Sequence, residues 1–93
     1  MDQKRKQAIG KAASLYTEFQ LAGVKKQAWK EYATLAGRAL NDLKDGNRDI
    51  GAKVLLIDLK ASFDAKAASS RMSGRKKAFK GYAKKVDDIL KLI

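Results

Sequence analysis

The sequence predicts a small all-α protein, a single domain over residues 1–93 that folds as an up-down antiparallel bundle of about four helices. Apolar residues recur at spacings of three and four through most of the chain, which is the period of an amphipathic helix. Proline is absent, and its absence suits long helices better than loop-rich folds. The segments between the helical patterns are short, so consecutive helices are expected to lie antiparallel.

The first helix is predicted over residues 2–22. Its apolar stripe is formed by Ile9, Ala12, Ala13, Tyr16 and Phe19. Asp2 is suited to cap the helix, because its carboxylate can accept hydrogen bonds from the free N–H groups of the first turn. Gly23 is expected to end the helix in the left-handed conformation, which glycine adopts at little cost.

The second helix is predicted over residues 25–44 and has the clearest helical period in the chain. Its apolar stripe is formed by Ala28, Trp29, Tyr32, Ala36, Ala39, Leu40 and Leu43. The sequence Asp45-Gly46-Asn47 predicts a turn after this helix, with Gly46 in the left-handed conformation.

The third helix is predicted over residues 48–67, with Asn47 as its cap and Asp49 in its first turn, where a negative charge is favourable. Apolar residues surround this helix almost completely, so we expect it to be the most buried, central helix of the bundle. They are Ile50, Val54, Leu55, Leu56, Ile57, Leu59, Ala61 and Phe63. A buried strand at Val54–Leu59 is the alternative, although the sequence shows no partner strand.

The fourth helix is predicted over residues 74–92. Its apolar stripe is formed by Phe79, Tyr82, Ala83, Val86, Ile89, Leu90 and Ile93. The segment before it is either a loop or a helix start capped by Ser69, Ser70 or Ser73.

The composition argues against several classes of function. Cysteine and histidine are absent, which removes disulfides, thiol nucleophiles, imidazole bases and the usual zinc ligands. The aspartates around Gly46 lack the spacing of a calcium loop, and the glycines do not form a phosphate-binding loop. Asp87 and Asp88 are expected to pair with Lys84, Lys91 or a neighbouring helix rather than to act as catalytic carboxylates. We therefore expect no enzymatic activity, no cofactor, no metal and no small-molecule substrate.

Positive charge is concentrated towards the two ends of the sequence. The formal net charge is +11, and residues 66–93 carry nine basic but only two acidic side chains. The densest basic group lies in the fourth helix and its approach: Arg71, Arg75, Lys76, Lys77, Lys80, Lys84 and Lys85. Like charges at helical spacing repel one another, whereas phosphates would turn that repulsion into attraction. This group predicts a polyanion-binding surface, and the alternative is a solvated basic face.

Two further basic groups lie in the first half of the chain. The first, at the N-terminus, consists of Lys4, Arg5, Lys6 and Lys11. If the first and fourth helices are neighbours, this group and the fourth helix could form one surface; the alternative is a frayed basic terminus. The other consists of Lys25, Lys26, Lys30 and Arg38, and is diluted by Glu31.

The aromatic residues are expected to pack in the core, because nearly all of them lie on apolar stripes. The alternative is that exposed rings stack on the bases of a single-stranded nucleic acid. Trp29 and Tyr82 are the best candidates for such stacking, since Lys30 and Lys80 are close to them in the sequence.

These features favour a cytoplasmic, non-enzymatic nucleic-acid-binding protein that contacts phosphate backbone. Lysine outnumbers arginine sixteen to five, and lysine reads bases less often than arginine does, so we expect little sequence specificity. The expected partner is either DNA or RNA. In composition and helix pattern the chain is similar to small helical ribosomal proteins and to the small helical subunits of RNA-guided complexes. That similarity implies a bundle lying on nucleic-acid backbone, but it assigns no functional residue.

The alternative function is a small protein-binding inhibitor or accessory factor whose basic face meets an acidic protein. A phage-type inhibitor, an immunity protein or a subunit of a nucleoprotein complex would fit. Binding to a membrane surface through the fourth helix is less favoured. We expect neither a secretory signal nor a membrane-spanning segment, because the longest strictly apolar run is Val54–Ile57.

Overall fold

The computed structural model describes residues 3–93, and these residues form four α-helices and no strand. The helices are α1 (Gln3–Gly23), α2 (Gln27–Asp45), α3 (Asp49–Ser69) and α4 (Ser73–Leu90). The prediction of a four-helix, all-α bundle is confirmed, and the alternative of a strand at Val54–Leu59 is wrong. The predicted cap Asp2 lies outside the described residues.

The helices alternate in direction, so α1 and α3 finish at the end of the bundle where α2 and α4 begin. We call this the cationic end. Aromatic rings from all four helices meet there: Phe19 of α1 lies 5.7 Å from Trp29 of α2, and Phe63 of α3 lies 6.2 Å from Phe79 of α4, measured between ring centroids. Phe19 and Phe63 lie 5.6 Å apart and join the two pairs. This ring cluster therefore fixes which helix ends lie together.

The two halves of the core differ in composition. The half nearer the cationic end contains a cluster of six rings, each of which contacts at least two of the others: Phe19, Trp29, Tyr32, Phe63, Phe79 and Tyr82. The other half is aliphatic and contains Leu40, Leu43, Leu56, Val86 and Ile89. Phe19 and Phe63 are fully buried, which confirms core packing for these rings. Trp29, Phe79 and Tyr82 are only half-buried, so their rings remain partly accessible.

The packing around the core is uneven. α1 packs mainly on α2, and α3 packs mainly on α4, whereas α1 and α4 share the thinnest contact. The prediction that α3 is the central, most buried helix is wrong. Ile50 is 81% exposed, Val54 is 53% exposed and Ile57 is 54% exposed. α3 has two neighbours, α2 and α4, so only the side chains on its inner faces are buried.

Two glycines were predicted to end helices, and only one does so in the expected way. Gly46 has a φ of 80° and donates its N–H to the carbonyl of Asp42, which confirms the left-handed end of α2. Gly23 is instead the last helical residue of α1 and does not have a positive φ. A Cβ atom at Gly23 would lie 3.0 Å from Cγ of Lys30. A larger residue at this position would be crowded by Lys30, because α1 and α2 approach closely there.

The predicted side-chain caps are wrong. α3 follows Arg48 rather than Asn47, and α4 follows Met72, with Ser73 as its first helical residue; neither helix start has a side-chain capping bond. These residues are exposed, so water can satisfy the free N–H groups. Asp49 does lie in the first turn of α3, as predicted.

None of the helices formed by residues 3–93 combines the length and the apolar character that crossing a membrane requires.

Candidate polyanion-binding site

The beginning of α4 and the two residues before it form an exposed segment, residues 71–78, which we call the extension of α4. Every residue from 71 to 78 is exposed, and the first buried residue of α4 is Ala83. Four of the predicted site residues belong to this extension: Arg71, Arg75, Lys76 and Lys77. Their side chains are therefore accessible from several directions, which suits contact with an extended polyanion.

A ridge of lysines continues along the outer face of α4. Lys77, Lys80 and Lys84 share this face by helical spacing, opposite the fully buried Val86. We call these three residues the lysine ridge. The described part of the chain offers no acidic partner within ion-pairing distance to any of them, nor to Arg71, Arg75 or Lys76. The positive charge of these six side chains is therefore not neutralised within the described structure.

Lys85 differs from the other site residues predicted on α4. Its Nζ lies 3.3 Å from a carboxylate oxygen of Glu18 in α1 and 5.4 Å from the centre of the Tyr82 ring. Lys85 thus joins the thin contact between α1 and α4. An exposed pair of this kind contributes little stability, but it reduces the charge that Lys85 presents to a ligand.

Beside the extension, a cleft opens between the first turns of α2 and α4. It has a volume of about 450 Å³, and its walls include Trp29 and Phe79 with Lys26, Lys66 and Arg75 around them. None of the acidic residues that the structure describes lines it. We call this the aromatic cleft. Lys66 comes from the last turn of α3, so three helices supply cations to one opening.

A second cleft of about 370 Å³ adjoins the aromatic cleft and shares Lys66, Arg75 and Phe79 with it. Arg71 and Met72 complete its wall, together with the two serines before α4. Because Phe79 lines both clefts, its ring lies between two openings surrounded by basic side chains. The arrangement could hold two successive anionic groups of a chain.

The backbone adds to the positive potential at this end. α2 and α4 both begin here, and neither has an acidic residue in its first turn or a side-chain cap. The free N–H groups of a helix start carry a partial positive charge. That charge has the same sign as the nearby side chains and strengthens their attraction for anions.

The two terminal basic groups, which the sequence allowed to form one surface, lie at opposite ends of the bundle. Lys4, Arg5 and Lys6 lie at the start of α1, which is at the opposite end of the bundle from Arg71 and the start of α4. Although α1 and α4 are neighbours, their antiparallel directions separate these two groups by the length of the bundle. The basic side chains that do meet the start of α4 are Lys26 and Lys66.

Arg5 has a structural partner. Its guanidinium donates to both carboxylate oxygens of Asp49, with Nη1 at 2.8 Å from Oδ1, and Nη1 also donates to the carbonyl of Leu43 at 3.0 Å. These bonds join the start of α1 to the end of α2 and the start of α3. The hydrogen bond from Arg5 lowers the pKa of Asp49 below its ordinary value. Arg5 is therefore engaged in holding the bundle together.

Sequence reasoning placed Lys26 in a different basic group from α4 and did not single out Lys66. Both could have been found from the up-down topology, because residues 26 and 66 flank helix ends that must meet residue 73.

One predicted ion pair near the end of α4 is confirmed. Asp87 binds Lys91, with 3.2 Å between the carboxylate oxygen and Nζ, and Lys91 was one of the partners expected for Asp87 and Asp88.

Comparison of the chain with protein-family models, with curated proteins and with solved structures finds no match to any of them. What the site does must therefore be argued from its own residues.

Proposed function

We propose that this is a non-enzymatic nucleic-acid-binding protein of the cytoplasm that contacts phosphate backbone through its cationic end and the lysine ridge. The observation that carries the proposal is the extension of α4, where accessible cations have no acidic partner among the described residues. Phosphates spaced along a backbone would supply the missing negative charge and release counterions on binding.

The chemistry of the surface favours backbone contact over base reading. Of the nine basic residues from Lys66 to Lys91, seven have no ion pair among the described residues, and five of those seven are lysines. The lysine ridge itself contains no arginine or amide. Lysine acts as a mobile point charge, whereas most bidentate contacts to base edges come from arginine, asparagine and glutamine. The expected binding is weakly dependent on sequence and strongly dependent on salt.

A salt series with fluorescently labelled single-stranded and double-stranded oligonucleotides tests the proposal. If the six unpaired cations each contact one phosphate, the logarithm of the binding constant should fall with the logarithm of salt concentration with a slope of about −4 for a single strand and about −5 for a duplex. Absence of binding at low salt, or an affinity that salt does not change, would contradict the proposal.

A matched pair of double variants locates the surface. Lys77→Gln with Lys80→Gln should make the single-strand slope shallower by about 1.4, since two phosphate contacts are removed. Lys44→Gln with Lys53→Gln removes the same amount of charge from exposed positions outside the site and should leave the slope nearly unchanged. Equal effects of the two double variants would mean that overall charge, and not this surface, governs binding.

The second candidate function is that of a protein-binding inhibitor or accessory factor. The exposed apolar residues Ile50, Val54 and Ile57 on α3 favour it, because exposed apolar side chains at helical spacing are common where proteins meet. The basic face would then bind an acidic protein. Purification after nuclease treatment distinguishes the two functions: a protein partner in fixed ratio would support this candidate, and loss of all bound material would support nucleic acid.

A further inference from the structure

We infer that the aromatic cleft binds an unpaired base, so that the protein prefers single-stranded nucleic acid to a duplex. This inference rests on the proposed function and names the form of nucleic acid that the cationic end would take. In this cleft, flat aromatic rings and basic side chains line the same opening.

The rings are suitably placed for stacking. Trp29 and Phe79 are nearly parallel, with an angle of 9° between their planes and 6.1 Å between their centroids. Both are half-buried, so each is held by the core on one side and accessible on the other. Any of the bases can stack on such a ring, because every base has a π face. Stacking therefore agrees with the weak sequence dependence expected of the lysine ridge.

The cleft also has the size and charge that the ligand needs. Its volume of about 450 Å³ falls within the range of about 300 to about 1,000 Å³ that small-molecule sites occupy. Lys26, Lys66 and Arg75 lie around the rings, and no acidic side chain among residues 3–93 lines the cleft. The phosphates on either side of a stacked base would therefore meet cations. A base within a duplex is paired and stacked on its neighbours, so it could not enter without being flipped out.

Trp29 provides a direct signal, because it is the only tryptophan in the chain. The experiment compares three probes of equal length: oligo(dT), the same phosphodiester chain with abasic sites, and a duplex. Binding is followed by anisotropy of a label on the probe and, separately, by the emission of Trp29. Oligo(dT) should bind most tightly and quench Trp29, whereas the abasic strand should bind more weakly and leave the emission nearly unchanged. Oligo(U) in place of oligo(dT) reports whether RNA is accepted as well.

Phe79→Leu keeps an apolar side chain but removes the flat ring from the cleft. It should weaken oligo(dT) binding by at least about 5-fold, the lower limit of the loss seen when a stacking ring is removed, and should not change the affinity for the abasic strand. Phe63→Leu is the matched control, because Phe63 belongs to the same ring cluster but is fully buried. Phe63→Leu should lower the stability of the bundle, but it should weaken oligo(dT) binding less than Phe79→Leu does.

The outcomes separate the inference from the proposed function. Equal affinity for oligo(dT) and the abasic strand, or unchanged Trp29 emission when anisotropy shows oligo(dT) bound, would overturn base stacking while leaving backbone binding intact. Failure of all three probes to bind at low salt would overturn both. A duplex that binds as tightly as oligo(dT) would also contradict the inference.

Discussion

Two residues of α3, Leu59 and Ile57, allow a sharp test of how this helix packs. They are two positions apart, but Leu59 is fully buried and Ile57 is 54% exposed. Leu59→Ala should cost about 2 to 5 kcal/mol, because the change removes buried methyl groups and leaves a cavity. Ile57→Ala should cost no more than about 1 kcal/mol, since much of the side chain is already in water and alanine has the higher helix propensity.

These losses are large enough to separate experimentally. A chain of 93 residues has an expected stability of about 5 to 14 kcal/mol, so Leu59→Ala removes a substantial fraction of it. The melting temperature should fall by at least about 8 °C for Leu59→Ala and by less than about 8 °C for Ile57→Ala. Urea unfolding monitored by circular dichroism gives the free energies directly, provided that the slope with urea is unchanged between variants.

Equal losses in the two variants would refute the arrangement in which α3 has one buried side and one exposed side. A larger loss at Ile57 than at Leu59 would mean that the outer face of α3 is covered in solution. Measuring both variants at two protein concentrations identifies self-association as the cause, because the stability of an associating protein rises with its concentration.

Three further predictions concern residues outside the site. Gly37→Ala should destabilise the bundle by about 1 kcal/mol or more in thermal unfolding, because the new Cβ would lie 2.9 Å from the ring of Tyr16. Gly10→Ala should raise stability by up to about 1 kcal/mol in the same assay, since Gly10 lies within exposed helix with open space around it; a loss there would contradict the packing of α1. Asp49→Asn should remove a stabilising effect that is present above the ordinary pKa of aspartate, about 3.9. The folded-state pKa is lowered by Arg5, so this contribution is lost as pH falls through that lowered value. Urea titrations from pH 7 down to pH 2 should show the parent protein losing more stability than the variant, and parallel curves would contradict the role given to this pair.

The number and approximate limits of the helices could be predicted from the sequence because both depend on local pattern. The period of apolar residues located each helix, and Gly46 could be identified as the end of α2 because its conformation depends on its own lack of a side chain. Gly23 could not be interpreted in the same way. Its surroundings are set by Lys30 on the neighbouring helix. The pattern of residues within one helix does not show such a contact with another helix.

The same distinction applies to the site. The accessible cations of α4 were found because they are close together in the sequence. Lys66 could be added only once the topology placed the end of α3 beside the start of α4. Arg5 could not be told from Lys4 and Lys6 by composition, because only the folded structure brings it to Asp49. The apolar surroundings of Ile57 suggested burial, but α3 lies beside α2 and α4, and the face that carries Ile57 is not covered by any of the described helices.

The way α4 begins is unfavourable for the isolated protein, and this supports the functional interpretation. Arg75, Lys76 and Lys77 are in its first two turns, where the partial charge of the helix start is also positive. Lys80 lies four positions after Lys76 and three after Lys77, and like-charge pairs at these spacings cost a few tenths of a kcal/mol each. An acidic residue at Ser73 or Gly74 would relieve both effects, and the exposure of these positions leaves room for one. The exposed first turns contribute little hydrophobic stabilisation, because the first buried residue of the helix is Ala83. Stability of the free bundle therefore does not account for this sequence, whereas an anionic ligand at the cationic end would make each of these charges favourable.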